Sequence, residues 1–196
     1  SAEVHQTVVE LCHVSRWEEI LEELSRIPPK SAVAWSFAAD SAVGWLAQPS
    51  GISWACQNTR AWFVSCDPGM EWVGLVKKIW EHLCAHGHKM LAHDAKFAIQ
   101  ILEHMGIPAG NVSWDDTQLA AWILDPGHTP ADLEGVIAQK LGEVGRAVSE
   151  GPTYAENATK VWRLWQVLEP QLALKGVVKA YEEVERPLVA TLARME

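Results

Sequence analysis

The chain has 196 residues, of which 48% are hydrophobic and 21% are charged, a composition that suits a folded globular protein and excludes an intrinsically disordered one. No uninterrupted apolar run is long enough to span a bilayer and no signal peptide opens the sequence, so we expect neither a membrane protein nor a secreted one. The net charge of −9 argues against a domain that binds nucleic acid tightly by itself, because such domains usually carry a basic face that binds the phosphates.

The first half of the chain is predicted to alternate between strands and helices. A strand at residues 7–11 precedes a helix at residues 15–27, for which Ser15 can serve as the N-cap with Glu18 three residues later. The remaining strands are expected at residues 31–38, 51–57, 61–66 and 89–93, and the remaining helices at residues 70–85 and 94–105. This alternation indicates a mixed sheet with helices packed on it.

From about residue 115 the pattern is helical to the end of the chain, and Asp116 is expected to cap the first of these helices. One apolar helix face is formed by Val161, Leu164, Trp165, Leu168 and Leu172. The same spacing predicts a second apolar face, formed by Val177, Tyr181, Val184 and Leu188. Pro187 marks a kink or a new helix start, and the stretch 143–152 is expected to be a mobile loop.

Eleven tryptophans are many for a chain of this length, and most of them are expected in the core. The tryptophans at apolar-face positions are Trp35, Trp122, Trp162 and Trp165. Trp45 and Trp54 lie near predicted loops, where an exposed indole could stack on single-stranded bases.

The four cysteines form no CxxC pair, and together with the missing secretion signal they indicate reduced thiols in a cytoplasmic protein. One of them, Cys84, lies close in sequence to His86, His88 and His93. Their spacing matches no standard structural zinc pattern, so we expect a solvated helix end and turn there rather than a zinc site.

Four segments carry a resemblance to a known family. They are VAWSFAADS (33–41), AHDAKFAIQILEHMGI (92–107), DDTQLAAWILDPG (115–127) and VERPLVATLARME (184–196). In this order and spacing they resemble the proofreading 3′–5′ exonuclease domain of the family A DNA polymerases, the family of bacterial DNA polymerase I, within the DEDD nuclease superfamily. The resemblance implies an α/β fold of the ribonuclease H-like type, with a mixed central sheet flanked by helices and a helical C-terminal half. Active members hydrolyse the terminal phosphodiester with two divalent metal ions, which four carboxylates hold.

The resemblance also implies where those four carboxylates should lie, and none of the matching positions holds one. The first family motif, D-x-E, matches Ser36 and Ala38, and the second motif, N-x-K-F-D, ends on Ala98. The third motif, Y-x-x-x-D, places Asn157 at the aspartate. Serine and asparagine offer a neutral oxygen and alanine offers no ligand, so we expect the two-metal site to be lost.

The remaining candidate site residues lie next to these positions. Thr153 matches the tyrosine of the third motif, which helps to orient the water in active members, and Tyr154 is one position away. Asp40 and Asp94 are acids that could bind one metal weakly, although a loop acid and a helix N-cap are their expected roles. Lys96 could contact a phosphate, as in a nuclease, or simply be a solvated helix residue.

The resemblance therefore implies that residues 1–196 are one exonuclease-like domain, vestigial and inactive, that serves as a structural platform. The chain does not begin with Met, and we expect a fragment of a larger bacterial DNA polymerase I, a DNA-directed nucleotidyltransferase of replication and repair. Its polymerase domain would follow residue 196 and would be the partner of this domain in the same chain, with DNA reached through the parent protein and no membrane contact. Magnesium is the expected cofactor of the parent polymerase, and none is expected for this domain. Three alternatives stay open: a weakly active metal-dependent 3′–5′ exonuclease that uses Asp40 and Asp94, a module that holds single-stranded DNA without cutting it, and a protein-interaction module.

Overall fold

The computed structural model describes residues 8–41, 44, 46–68, 71–143 and 154–195. Among these residues six strands form one sheet: β1 (Glu10–His13), β2 (Ala32–Ala39), β3 (Pro49–Ala55), β4 (Arg60–Ser65), β5 (Lys89–Ala92) and β6 (Trp114–Asp116). The order across the sheet is β1-β4-β3-β2-β5-β6. The neighbours β2, β3 and β4 are antiparallel, whereas β1 runs parallel to β4 and both β5 and β6 continue the sheet from β2 in parallel. The predicted mixed sheet is confirmed, and β3 and β4 form an antiparallel hairpin within it.

Helices cover both faces of this sheet. They are α1 (Trp17–Ser25), α2 (Trp72–Ala85), α3 (Ala95–His104), α4 (Thr117–Leu124), α5 (Leu133–Leu141), α6 (Glu156–Leu174), α7 (Val178–Ala180) and α8 (Arg186–Met195). A short 3₁₀ turn at Ala109–Asn111 and a π-helical turn at Tyr181–Glu185 complete the described elements. No helix in the described part of the chain is both long and apolar enough to cross a membrane.

The core forms two layers, one on each face of the sheet. Residues of α1, α2, α3 and α8 pack with Val33 and Trp35 of β2 in one apolar cluster. Residues of α4, α5 and α6 pack with Ala34 of β2 and Leu91 of β5 in another. Side chains alternate along a strand, so β2 contributes its odd-numbered residues to the first layer and its even-numbered residues to the second. The even-numbered side carries the first family motif.

Two predictions for the N-terminal elements were displaced by a few residues. The first strand begins at Glu10 instead of residue 7, and residues 1–7 lie outside the described residues. The N-cap of α1 is Arg16, and Glu19 accepts hydrogen bonds from the backbone N–H of Ser15 (3.0 Å) and Arg16 (3.1 Å). Ser15 and Glu18 therefore do not form the capping pair, because the helix begins one residue later than its sequence suggests.

The C-terminal half holds two larger differences from the prediction. It contains a strand, β6, which the helical pattern concealed because only three residues pair with β5. The apolar face predicted for the last segment is also wrong, because Tyr181 is buried whereas Val184 and Leu188 are 54% and 45% exposed. Residues Tyr181–Glu185 form a π-helical turn, which contains one residue more than an α-helical turn. The residues after Tyr181 therefore face a different side of the helix from the one that regular α-helical spacing predicts. In α6, by contrast, all five predicted face residues are buried.

The burial of the tryptophans differs in part from the prediction. Trp54 is fully buried, whereas Trp122 is 49% exposed on α4. Trp35 and Trp165 are buried as predicted, and Trp162 is half-buried. Trp45 lies outside the described residues, and so do residues 144–152 of the predicted mobile loop. All four cysteines are free in the structure.

Candidate functional site

The first motif lies on β2, where Ser36 and Ala38 point to the same side of the sheet. In the antiparallel pairing with β3, Ser36 is opposite Ser53 and Ala38 is opposite Gly51. Cross-strand partners share a face, so these four residues form one small patch. The Ser53 hydroxyl donates to the Ser36 carbonyl over 3.3 Å. The patch therefore presents hydroxyls, a methyl group and bare backbone, but no carboxylate.

The side chain of Tyr154 covers part of this patch. Its phenol lies directly over Gly51, so closely that a Cβ added to that glycine would collide with the ring. The hydroxyl donates to the Val64 carbonyl on β4 (3.3 Å), and the ring meets Phe63 edge-on at 6.1 Å between centroids. Ala38 packs against the same apolar cluster. Tyr154 thus fills the space beside the position that would hold the motif glutamate.

Burial changes the chemistry of this tyrosine. Desolvation, with smaller contributions from Cys66 and Asp67, raises the pKa of Tyr154 above its usual value. The phenol therefore stays protonated well into alkaline pH, and its hydroxyl is hydrogen-bonded to the sheet. Thr153, the alternative match to the family tyrosine, lies outside the described residues.

Asn157 lies in the first turn of α6, three residues after Tyr154. Its side-chain oxygen is buried and accepts no hydrogen bond within the described part of the chain. The next residue, Ala158, belongs to the cluster formed by Tyr154 and Phe63. The third-motif position is thus placed beside the first, on the helix that packs across β2 and β3.

Ala98 has a different environment. It lies on α3, is fully buried, and belongs to the apolar cluster that contains Trp35. Ala38 packs against the separate cluster around Tyr154. The structure therefore brings Ser36, Ala38 and Asn157 to one region, whereas the methyl group of Ala98 is part of the core packing.

These side chains do not fit a two-metal site. A hard divalent cation needs several anionic oxygens, and the four motif positions supply only a hydroxyl and a neutral amide, while Ala38 and Ala98 supply no ligand. Throughout the described residues, no three His, Cys, Asp or Glu side chains are grouped so that they could hold a metal ion. No step of a metal-assisted hydrolysis can be assigned to these residues.

The two nearby acids have structural partners. The Asp40 carboxylate accepts a hydrogen bond from the backbone N–H of Gln48 (2.8 Å) and so ties together the connection between β2 and β3. Asp94 is the N-cap of α3, adopts a left-handed backbone conformation, and accepts from the N–H of Phe97 (3.1 Å). Lys96 is half-buried in the first turn of the same helix, and its contact with phosphate stays a prediction.

Three of the histidines around the end of α2 lie together, because His86 stacks on His82 and on His88, whereas His93 has other partners. His86 stacks on His82 with 4.1 Å between ring centroids and lies 2.8 Å from the His82 carbonyl oxygen. His93 contacts the Thr117 hydroxyl (2.9 Å) and the Ala131 carbonyl (3.1 Å) through its two ring nitrogens. These contacts direct His93 away from the histidines of α2.

Asp116 caps two helices at once. Its carboxylate accepts from the N–H groups of Gln118 (2.8 Å) and Leu119 (3.2 Å) in α4, which confirms the predicted cap. It also accepts from the N–H of Ala95 (2.8 Å) at the start of α3, a contact that the sequence did not predict. Burial raises the pKa of Asp116, and these N–H donors oppose that shift by stabilising the anion.

A buried polar network next to this cap was also missed. The Tyr181 hydroxyl accepts from the N–H of Asp116 (2.8 Å) and donates to the Asp115 carboxylate (3.3 Å). Arg186 at the start of α8 pairs with the same carboxylate at 3.2 Å. The network fixes the C-terminal helices to β6. Two adjacent acids before a helix were the only signal available, and their partners lie about 70 residues away.

The comparisons with known proteins agree with this fold. No protein-family profile matches the chain. In solved structures it is similar to Brucella melitensis NrnC (TM-score 0.68, 14% identity, 96% of this chain and 94% of that one). It is also similar to the catalytic core of RRP6 from Trypanosoma brucei (TM-score 0.66, 13% identity, 93% of this chain and 52% of that one). The fold is that of the ribonuclease H-like exonucleases.

In sequence the chain is similar to bacterial DNA polymerases I, a similarity that fits the 3′–5′ exonuclease-like domain of those enzymes. It is 34% identical to DNA polymerase I of Rhizobium leguminosarum over an alignment of 128 residues that covers 54% of this chain. It is 25% identical to DNA polymerase I of Pseudomonas aeruginosa over an alignment of 204 positions that covers 88% of this chain. The solved POL domain of Pol1 from M. smegmatis, in complex with DNA primer-template and dNTP, matches 95% of this chain with a TM-score of 0.76 and 20% identity. The chain spans 12% and 22% of the two curated relatives and 31% of the Pol1 structure.

Proposed function

We propose that this domain is a vestigial 3′–5′ exonuclease that no longer hydrolyses DNA and serves as a structural platform for a DNA polymerase. One observation carries the proposal: Tyr154 and Ala38 pack together where the fold's acidic site would lie. Loss of carboxylates alone would leave a cleft, whereas here a buried aromatic ring occupies part of it. Removal of one ligand from a two-metal site is severely damaging, and all four are absent here.

The parent protein belongs to the same proposal. It would be a bacterial, cytoplasmic DNA polymerase I that acts in replication and repair, with magnesium as the cofactor of its polymerase active site. The polymerase domain of the same chain would be the partner of this domain, and DNA would be bound through the parent protein. The similarity to DNA polymerase I supports this proposal. A polymerase that carries such a domain would lack proofreading.

The experiment is a nuclease assay on the 196-residue chain. The substrate is a single-stranded oligonucleotide labelled at the nucleotide next to its 3′ end, incubated first with Mg²⁺ and then with Mn²⁺. We expect no release of labelled nucleotide beyond that of a no-protein control. Metal-dependent release that survives repurification would refute the proposal.

The matched controls restore the site stepwise. One variant carries Ser36→Asp, Ala38→Glu, Ala98→Asp and Asn157→Asp, and a second adds Tyr154→Ala. Because the Tyr154 ring lies next to residue 38, we expect any recovered cleavage to require the fifth change.

The weakly active alternative has its own variants. If the unaltered chain cuts DNA, Asp40→Asn and Asp94→Asn separate the displaced-acid mechanism from contamination. Asparagine can still accept the hydrogen bonds from Gln48 and Phe97, so these changes remove charge and keep the structure. Cleavage that both variants abolish would favour an active exonuclease over a vestigial one.

A further inference from the structure

Three histidines form a stacked group at the C-terminal end of α2. The His86 ring lies 4.1 Å from the His82 ring and 6.3 Å from the His88 ring, measured between ring centroids. His82 and His86 are four residues apart and share one side of the helix, and His88 follows just after the helix has ended. Short histidine-rich segments are typical of metal binding. The four motif positions do not involve this group, since they lie on β2, α3 and α6.

Hydrogen bonds fix which nitrogen is protonated in two of these rings. Nδ1 of His86 lies 2.8 Å from the His82 carbonyl oxygen, and Nδ1 of His88 lies 3.3 Å from the Ser31 carbonyl oxygen. A carbonyl oxygen can only accept a hydrogen bond, so Nδ1 carries the hydrogen in both rings. In the neutral imidazole Nε2 then carries the lone pair. Histidines that bind a metal ion through Nε2 usually have this arrangement, with Nδ1 donating to a carbonyl or a carboxylate.

We propose that His86 and His88 bind one divalent transition-metal ion, of the class of Ni²⁺, Cu²⁺ and Zn²⁺, through their Nε2 atoms. Each nitrogen lies about 2.0–2.1 Å from such an ion, so two rings on one ion have centroids roughly 5–6.5 Å apart, depending on the bond angle. The observed separation of 6.3 Å lies within this range. His86 is exposed, so an ion can reach it from solvent and its ring can turn toward the ion without displacing core residues.

Two features of α2 support a cation at this place. The His82 ring stacks on His86 and is itself contacted edge-on by Trp17 of α1 at 5.8 Å, so His82 is a positioning residue that holds the His86 ring. The ion would also lie just beyond the C-terminal end of the 14-residue helix, where the partial negative charge of the helix favours a cation.

The proposed site differs from the four motif positions in its chemistry as well as in its place. In the described part of the chain no three His, Cys, Asp or Glu side chains are grouped to hold an ion, so we assign two imidazole ligands and leave the other coordination positions to water. Imidazole nitrogens suit Ni²⁺, Cu²⁺ and Zn²⁺, whereas Mg²⁺ prefers oxygen ligands and Mn²⁺ has the lowest affinity of the first-row divalent ions. This inference does not depend on the function proposed above.

The test is a calorimetric titration of the 196-residue chain with Ni²⁺ in excess Mg²⁺, at about pH 7.5, where imidazoles are neutral. We expect saturable binding of one ion per chain. His86→Gln should weaken this binding about tenfold or more, because loss of a residue that only supports a ligand already costs that much. His104→Gln is the matched control, since His104 is also an exposed histidine at the end of a helix, and it should leave the affinity unchanged. Binding should be lost at about pH 5, because a protonated imidazole has no lone pair.

A second measurement identifies the ligands directly. Ni²⁺ is paramagnetic, so small amounts should broaden the ring NMR signals of His86 and His88 first and leave those of His104 sharp. Equal loss of affinity in His86→Gln and His104→Gln would show an adventitious ion only and would overturn the inference. Displacement of Ni²⁺ by Mg²⁺ would indicate oxygen ligands and would overturn it as well, and so would the absence of saturable Ni²⁺ binding.

Discussion

Gly51 and Tyr154 are packed so closely that residue 51 has no room for a Cβ. Gly51 is also the cross-strand partner of Ala38, the position of the motif glutamate. A glycine inside a strand often marks a close approach of another group, and here that group is the phenol ring. The small residues at 38 and 51 thus accommodate one large aromatic side chain.

This relationship predicts a strong coupling between the two residues. Gly51→Ala should lower the free energy of unfolding by about 1–3 kcal/mol, the usual cost of overpacking. In the background of Tyr154→Ala the same change should have little effect, because the ring that it meets is gone. Urea denaturation of the four proteins in the cycle measures the coupling. An equal cost of Gly51→Ala in both backgrounds would show that the ring does not lie there.

Asp116 is predicted to contribute more to the free energy of unfolding than an ordinary helix cap does. Asp116→Ala should lower the free energy of unfolding by about 1–4 kcal/mol, since it caps two helices and each cap contributes about 0.5–2 kcal/mol. Asp116→Asn should cost less than Asp116→Ala, because its one amide oxygen can still accept from the N–H groups of one of the two helices. Asp125→Ala, at the other end of α4, is the control and should change stability little, because Asp125 is partly exposed. Thermal and urea unfolding distinguish these variants.

Two histidines should make the domain less stable in mild acid. Burial, with help from neighbouring His86 and His88, lowers the pKa of His82, and burial also lowers the pKa of His88. The unfolded chain then binds protons more readily than the folded one, so this stability is complete above the unfolded pKa of about 6.5 and is lost as the pH falls below it.

The measurement is the melting temperature between pH 8 and about pH 5. His82→Gln should flatten the decline, whereas His104→Gln, which removes an exposed imidazole, should leave it unchanged. A decline of equal steepness in all three proteins would assign the acid sensitivity to other groups.

The thiols of Cys56 and Cys66 are predicted to react slowly in the native protein. Burial raises the pKa of Cys56 to about 11 and the pKa of Cys66 to about 12. Because the thiolate is the nucleophile, the rate of labelling by a disulfide reagent should still rise about tenfold per pH unit at about pH 10, where labelling of an ordinary thiol with a pKa of about 8.5 has levelled off. Single-cysteine variants followed in native buffer and in urea test this, and an early plateau in native buffer would contradict it.

The sequence predicted those elements whose signal is local. The strand around Val33 and Trp35 is a buried run, and the apolar spacing of α6 from Val161 to Leu172 is regular, so both were predicted correctly. β6 was missed because its three residues include two acids, and only the pairing with β5 makes it a strand. The burial of Val184 was predicted wrongly because the π-helical turn has no clear sequence signal.

In the candidate site, too, features with a local sequence signal could be predicted and contacts between distant residues could not. The identities of Ser36, Ala38, Ala98 and Asn157 are visible in the sequence, and so is the cap formed by Asp116. The position of Tyr154 could not be predicted, because it depends on a glycine about 100 residues earlier in the chain. The partners of Asp115, which are Tyr181 and Arg186, are similarly distant. Contacts of this kind follow from the assembled fold rather than from any local pattern.

The most direct measurement is a calorimetric titration with Mn²⁺ of the unaltered chain, the four-acid variant and the variant that also carries Tyr154→Ala. We predict no saturable binding by the unaltered chain, because no carboxylate lies at the four motif positions, and the tightest binding by the variant without the ring. Saturable binding of two Mn²⁺ ions by the unaltered chain, with affinity like that of the restored variants, would contradict the vestigial assignment.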